Sequence, residues 1–332
     1  MKKFMNRAED MVAEGLSGFV AAHDDLVAFG PDRKFVRRRA LTPGKVAVIS
    51  GGGAGHEPMH TGLVGTGMLD AACTGHIFTS PTPDQILAAI AECDTGGGAV
   101  LVVKNYDGDV MNFEMAAEMA TARGHRVETV VVDDDVATTS SGRSSGRRGV
   151  AGTLVVERIL GAAAEAGADL AALKALGIAA VDNTRTIGVA LKGVTVPDTA
   201  RQTFSLGPDE MEVGVGIHGE PGRSRQAFRR ADELAELLCA EILDRAPFSK
   251  DQPFLLLVNG FGATPVAELY VAYDAIRRAL RPRRLSIARS LVGTFVTSLD
   301  MAGLSVTLTG LGAGRQALWD SPVRTAALRW GM

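Results

Sequence analysis

The stretch Lys45 to His60, KVAVISGGGAGHEPMH, most constrains the fold of this chain. Lys45 to Ser50 are mostly β-branched or small and apolar, which predicts a buried parallel strand. Three glycines follow, then Ala54, Gly55 and His56. Glycines at the carboxyl end of a buried strand let the backbone turn sharply and approach a ligand closely. In open α/β sheets that edge is where ligands bind, so His56 and Glu57 are expected at a pocket rim. A phosphate-cradling P-loop would end in Gly-Lys-Ser/Thr, whereas Gly55-His56-Glu57 stands here. A dinucleotide-binding turn would need a third glycine where His56 sits.

The flanking sequence builds an α/β frame. Helical spacing of Met5, Met11, Val12, Leu16, Phe19 and Val20 predicts a surface helix over 5–22. Residues 30–40, with Asp32, Arg33, Lys34, Arg37, Arg38 and Arg39, read as a solvated linker of mixed charge, with a phosphate-facing patch as the minority reading. Thr82 or Ser80 caps a helix over 83–93, with Pro83 and Asp84 in its first turn. A strand at 99–104, a helix at 112–123 and a strand at 126–132 form a βαβ unit, so the sheet is largely parallel. Residues 138–149, TTSSGRSSGRRG, read as a loop ordered by a ligand or flexible. Helices follow over 150–167 and 169–176.

The pattern then changes, and a domain boundary is expected near 184. Beyond it come strands at 186–191 and 212–217, a helix over 226–243 and a strand at 254–258. A helix over 264–280 and strands near 285–289 and 304–309 complete the pattern, with an irregular aromatic tail from Ala317 to Trp330. The expected architecture is therefore α/β with two domains, 1–184 and 185–332, each a mainly parallel or mixed sheet flanked by helices.

Composition narrows the function classes. A chain of 332 residues with 46% hydrophobic and 22% charged residues can bury a sizeable core. Net charge is −3 and aromatics are 5%, so neither a basic field nor an aromatic platform recruits nucleic acid or an acidic membrane. Cys73, Cys93 and Cys239 are odd in number and widely spaced, giving neither a disulfide framework nor a zinc spacing. Lys2, Lys3, Arg7, Glu9, Asp10 and Glu14 exclude a signal peptide from the first twenty residues. No apolar run reaches the ~18 residues of a membrane span, and a cytoplasmic location is expected.

Polar groups at strand ends are the candidates for chemistry. His56 follows the first strand, Lys104 and Asp109 follow the second, and His218 closes the segment 212–217. Each also has a bland reading: Asp109 as a turn aspartate, Lys104 as a solvated strand end, His218 as a core histidine. Convergence on one sheet edge would give a base, a cation and a second histidine at one site. The run Asp133–Asp135 suits a hard cation, but adjacent residues at a strand end rarely point one way, so a helix cap or a basic partner is expected. His60, His76 and His125 lack metal-ligand spacing and read as structural; no metal is expected.

Several long blocks in order now carry a resemblance. They are GKVAVISGGGAGHEPMH at 44–60, IFTSPTPDQI at 77–86, KNYDGDVMNFE at 104–114 and VVDDDVA at 131–137. GRRGVAGT at 146–153, EMEVGVGIHGEPG at 210–222, TSLDMAGLSVTL at 297–308 and the final ALWDSPVRTAALRWG complete them. With these, the chain resembles the substrate-binding K subunit of dihydroxyacetone kinases over nearly its full length.

The resemblance implies that the histidine matching His218, in the C-terminal domain, adds through Nε2 to the ketone carbonyl as a hemiaminal. His56 would be the general base, with Asp109 orienting it or sharing the proton. Lys104 and the amides of Gly53, Ala54 and Gly55 would hold the other hydroxyls, and Phe78 and Ser80 would line the pocket. Ala54 stands where the family commonly has serine, which implies better tolerance of a four-carbon ketose such as erythrulose.

The chain has no nucleotide-binding motif of its own, so no cofactor is expected on it. ATP or ADP with magnesium would sit on a partner L subunit, served either by ATP exchange or by a phosphotransferase-system M subunit. A homodimer acting in glycerol metabolism is also implied. The competing readings are a ketone-binding coactivator or sensor without turnover, and, more weakly, a nicotinamide oxidoreductase.

Overall fold

A computed structural model describes residues 2–138, 146–246, 248–249 and 251–332. Two six-stranded sheets organise it. The first contains β1 (Val27–Phe29), β2 (Val36–Arg38), β3 (Ala47–Ala54), β4 (Ala71–Ile77), β5 (Ala99–Lys104) and β6 (Val127–Val132), in the order β1-β2-β4-β3-β5-β6. The four strands from β4 to β6 run parallel, and β1 and β2 add an antiparallel edge. Helices α2 (Pro83–Cys93) and α3 (Asp107–Ala122) make the crossovers, and α1 (Met11–Ala22) lies on the surface.

The second sheet uses β7 (Thr184–Lys192), β8 (Glu210–Val213), β9 (Ser224–Ala227), β10 (Pro253–Gly260), β11 (Ser286–Gly293) and β12 (Ala302–Gly310), in the order β11-β10-β12-β7-β8-β9. Only its β10–β11 pair is parallel, so this sheet is mixed. The fold is thus α/β with both sheets flanked by helices.

Alternation along the strands fixes the layers. Val48, Val100 and Val102 face one apolar cluster, and Ala47, Ile49, Leu101 and Val103 face another against α2 and α3. In the second sheet Leu255 and Leu257 join the first of these clusters, while Phe254, Leu256 and Val258 pack against α6 (Ala231–Asp244) and α7 (Val266–Leu280). Between the sheets lie α4 (Gly152–Glu165) and α5 (Leu170–Asp182). Helix α4 touches β3, β5 and β6 on one side and β7 and β12 on the other, and every residue from Gly152 to Ala164 is buried. Apart from Thr153, Glu157 and Arg158, the buried run is Gly, Ala, Val, Leu and Ile, which suits that place because a helix apolar on nearly every side has no solvent face to offer.

Several elements differ from the sequence expectation. The first strand does not stop at Ser50 but continues through Gly51, Gly52 and Gly53 to Ala54; the chain turns only at Gly55, where φ is +101°. The supposed linker at 30–40 contains β2, and Arg38 is buried against Asp70 at 3.1 Å and against Glu165. Strand β4 lies in a stretch of small residues that gave no alternation signal.

The first helix starts at Met11 instead of residue 5, α3 starts at Asp107 instead of 112, and α5 runs on to Asp182. The segment 212–217 is strand only over Glu210–Val213, and the helix expected from 226 begins at Ala231, after β9. The tail is ordered into α8 (Arg315–Asp320) and a hairpin of β13 (Val323–Arg324) and β14 (Arg329–Trp330). Of the loop expected over 138–149, residues 139–145 lie outside the described residues. Among the described residues no helix is long and apolar enough to cross a membrane.

Close packing on α4 sets up a test. A Cβ at Gly161 would come 2.3 Å from Met68 Cα and 2.6 Å from its N, whereas one at Gly18 in α1 meets nothing within 4 Å. Propensity alone would reward alanine at either helical position by up to about 1 kcal/mol. Gly18→Ala is therefore expected to raise the unfolding midpoint. Gly161→Ala is expected to lower stability by about 1–3 kcal/mol, since the Met68 backbone must move. Denaturant unfolding of both variants measures this, and a stabilised Gly161→Ala would show that the two backbones are not in contact.

Candidate active site

His56 sits just beyond the end of β3 and is fully buried. The segment after β11 holds it there. Leu299 N–H donates to Gly55 O at 2.8 Å, and Thr297 N–H donates to His56 O at 3.2 Å. On the ring, Nδ1 lies 2.9 Å from the Thr297 carbonyl oxygen. A carbonyl only accepts, so Nδ1 carries the proton and Nε2 keeps its lone pair. That lone pair faces Nε2 of His218 at 3.1 Å, and the His218 nitrogen must donate. Burial, then the neighbouring His218 and Lys104, hold the His56 pKa well below the usual histidine value. Burial likewise brings His218 down to about 4. Both rings are neutral near pH 7.

His218 is positioned through its backbone. Its N–H donates to Glu220 Oε2 at 2.9 Å, and Glu220 Oε1 accepts from Arg148 Nη1 at 2.9 Å. Arg148 is itself fixed by Asp135 at 2.7 Å and by the Gly214 carbonyl at 2.8 Å. Aromatic rings wall the imidazole: Tyr106 meets it edge-on at 4.3 Å and Phe78 at 5.5 Å, and Phe78 also stacks on His56 at 5.3 Å. Gly53, Phe78, Ser80, Tyr106, Asp109 and His218 line a cavity of about 280 Å³.

Asp109 reaches this cavity from the first turn of α3, where the helix dipole favours a carboxylate. It is buried and pairs with Lys104 Nζ at 3.3 Å. Lys104 is fully buried at the end of β5. Its ammonium also donates to Gly51 O at 2.9 Å and to His60 Nε2 at 3.1 Å. The ammonium thus makes two hydrogen bonds and one ion pair. Gly52 makes room for them, since a Cβ there would lie 2.1 Å from Nζ.

The structure brings His56, Asp109, Phe78, Ser80, Gly53 and His218 to one place. Lys104 lies buried behind the cavity wall, held by Gly51 O, His60 and Asp109, not at a solvated strand end. Thr297, not Asp109, orients the His56 ring. Ala54 and Gly55 line a different cavity of about 620 Å³ with Leu16, Phe19, Phe295 and Leu299, and Gly55 N–H donates to Glu57 at 3.1 Å.

The acidic run goes to three separate partners. Asp133 pairs with Arg147 at 2.8 Å, and Asp134 accepts from the Val150 and Gly152 amides at the start of α4 at 2.8 and 2.7 Å. Asp135 pairs with Arg148 at 2.6 Å. Among the described residues no group of His, Cys, Asp and Glu is arranged to hold a metal ion. Thr297, His60, Glu157, Tyr106 and Glu220 were not singled out as site residues from the sequence. Thr297 acts through its carbonyl, which every residue has, so its side chain gives no signal.

Comparison with known proteins adds the following. The family model of the Dak1 domain matches residues 17–327. The dihydroxyacetone-binding subunit DhaK of a PTS-dependent dihydroxyacetone kinase 1 from Listeria innocua is 48% identical, over 94% of this chain and 94% of its own. The corresponding subunit of the PEP-dependent kinase of Escherichia coli K12 is 42% identical over 100% of both chains. An L-erythrulose 1-kinase of Mycolicibacterium smegmatis is 38% identical, over 100% of this chain and 58% of its own length.

Among solved structures, the dihydroxyacetone kinase of C. freundii in complex with AMP-PNP and Mg2+ superposes with a TM-score of 0.90 at 34% identity, over 99% of this chain and 61% of the other. A dihydroxyacetone kinase operon co-activator, Dha-DhaQ, superposes with a TM-score of 0.89 at 33% identity, over 95% and 96%.

The neutral imidazole pair is open to direct test. In an imidazole ¹⁵N-NMR titration His218 is expected to protonate with a midpoint of about 4. The unfolded chain takes up that proton in the ordinary histidine range, near 6.5. The folded state should therefore lose stability as pH falls from that range toward the folded midpoint, and hold it above. A midpoint near 6.5 would show that the ring is solvated and not packed as described.

Proposed function

The chain belongs to the Dak1 domain family, and from that membership and the paired imidazoles we propose that it is the ketone-binding subunit of a dihydroxyacetone kinase. The observation that carries this is the Nε2 to Nε2 contact of His56 and His218 at 3.1 Å, with the His56 tautomer set by Thr297. It stands beside a cavity at the small end of ligand sites, lined also by Asp109 and suited to a molecule of a few heavy atoms.

In the proposed capture step, His56 Nε2 takes the proton of His218 Nε2, whose freed lone pair attacks the carbonyl carbon. The π pair moves onto oxygen, and His56 returns the proton to it. The product is a neutral hemiaminal on His218; no group leaves and nothing is oxidised. Such a bond selects carbonyl compounds over glycerol, which has no carbonyl to attack. With its lone pair restored, His56 takes the proton of the terminal hydroxyl as that oxygen attacks phosphorus, and Asp109 shares it. A nucleotide-carrying L subunit, working with ATP or with a phosphotransferase-system M subunit, supplies the phosphoryl group. His56 gives up its proton to water, the hemiaminal collapses as its C–N bond breaks and its hydroxyl proton returns to His218 Nε2, and dihydroxyacetone phosphate leaves. The same reading makes the protein a cytoplasmic homodimer, with residues 1–184 carrying the glycine loop and residues 185–332 carrying His218.

Intact-protein mass spectrometry with dihydroxyacetone is expected to show a His218 adduct that His218→Ala abolishes. Asp109→Asn should keep the adduct and lose at least ~10²-fold in phosphoryl transfer with an L subunit. A full adduct without turnover in the parent protein, with either donor system, would replace the kinase reading by the ketone-binding co-activator that the 0.89 superposition also supports.

The similarity to an erythrulose kinase gives a second substrate reading. The sequence expectation puts Ala54 beside the substrate, but residue 54 lines the other cavity and not the one lined by Asp109 and His218. Ala54→Ser should therefore leave the ratio of kcat/KM for erythrulose over dihydroxyacetone within twofold. A larger change would place residue 54 at the substrate after all.

A further inference from the structure

A fully buried carboxylate lies where the proposed chemistry does not use it. Glu157 projects from α4, and within the buried run Gly152–Ala164 its only charged companion is Arg158. Arg158 turns elsewhere, to the carbonyls of Gly67, Trp319 and Ser321. Glu157 Oε1 instead lies 2.6 Å from His60 Nδ1, and among the described residues its Oε2 has no hydrogen-bond partner. A buried polar group is tolerated when it is hydrogen-bonded, so this contact is a built feature of the interior.

The hydrogen bonds fix the His60 tautomer from two directions. Ser50 Oγ is 3.1 Å from Nδ1 and donates its own proton to Val102 O at 2.7 Å, so toward His60 it can only accept. Glu157 also accepts. Nδ1 therefore carries the proton, and Nε2 presents a lone pair to Lys104 Nζ at 3.1 Å. That lone pair is one of the ammonium's two hydrogen-bond acceptors, beside Gly51 O at 2.9 Å, and Asp109 Oδ2 is its ion-pair partner at 3.3 Å. Two hydrogen-bond acceptors and one ion-paired carboxylate hold this tetrahedral donor in place. The opposite His60 tautomer would aim an N–H at the ammonium and turn it off Asp109.

We propose that Glu157 and His60 are positioning residues which, through Lys104, hold the Asp109 carboxylate at the phosphoryl-transfer site. This rests on the kinase reading above. The relay runs Glu157, His60, Lys104, Asp109, from the helix between the sheets to the cavity, and Gly52 leaves the space that Nζ occupies. Only Asp109 touches the substrate; the others set where its charge sits. A network that served only stability would lower the folded fraction and leave turnover per folded site unchanged.

The experiment compares Glu157→Leu, Glu157→Gln, His60→Ala and His60→Gln in the full chain with an L subunit and its phosphoryl donor. Rates are normalised to the fraction that forms the His218 adduct, so that misfolded protein is not counted. Glu157→Leu and His60→Ala are expected to lose at least tenfold in kcat while KM for the ketone stays within threefold. Glu157→Gln, whose amide oxygen still accepts from Nδ1–H, should recover most of the loss. His60→Gln, whose amide oxygen reaches toward the Nε2 position, should recover part.

An unchanged kcat per adduct-forming site in Glu157→Leu and His60→Ala would overturn the proposal, as would equal losses in the leucine and glutamine variants. Should the parent protein not turn over at all, the kinase reading fails separately. Imidazole ¹⁵N shifts then test the relay itself: a pyrrole-like Nδ1 and a pyridine-like Nε2 on His60 support it, and the reverse pattern overturns it.

Discussion

One hydrogen bond from an imidazole to a backbone carbonyl underlies the whole site. The Thr297 carbonyl, from the segment after β11, accepts the Nδ1–H of His56 on the loop after β3. It makes His56 Nε2 an acceptor, and so makes His218 Nε2 a donor toward it. A carboxylate in that position would favour an imidazolium; a carbonyl orients the ring without offering it a counter-charge. With burial opposing protonation as well, the pair stays neutral and is suited to nucleophilic and base chemistry. Leu299 and Thr297 also donate to the loop backbone, so the segment that orients the ring fixes the loop carrying it.

The charges around this neutral pair are deployed in depth. Lys104 and Asp109 are buried together, and Glu157 lies fully buried behind them. On the other flank Arg148 joins Asp135 and Glu220 beneath the His218 backbone. Truncating one member of such a buried set would strand its partner's charge, which is strongly destabilising. Glycine serves this arrangement by what it lacks: at Gly52 the missing Cβ is the space of an ammonium group.

The sequence made part of this legible. The βαβ pattern of the first sheet could be read because buried parallel strands give continuous apolar runs and their crossover helices carry end signals. His56, Asp109 and His218 could be singled out because each follows a strand or closes a segment rich in turn residues. Strand β4 was missed because Ala, Cys, Thr and Gly give no alternation, and β2 because Arg38 bears a charge that its burial with Asp70 hides. The glycines of β3 read as a turn, although in the structure they are strand with neighbours pressed against them. Ala54 lines a different cavity from Gly53, Asp109 and His218, since adjacent residues of an extended chain face opposite ways. Glu157 gave no signal as part of the site because its partners are distant in sequence, His60 by 97 residues.

The helix between the sheets has a consequence for biosynthesis. Helix α4 needs β7 and β12 to cover its second side, and β12 is the last strand of its sheet to leave the ribosome. Until it emerges, a surface of Val, Leu and Ile side chains waits uncovered on the nascent chain. Such transiently bare apolar surface is what makes folding intermediates aggregate and what chaperones recognise. For this chain, production in soluble form should depend more on the pace of elongation and on chaperone supply than on the stability of the finished fold.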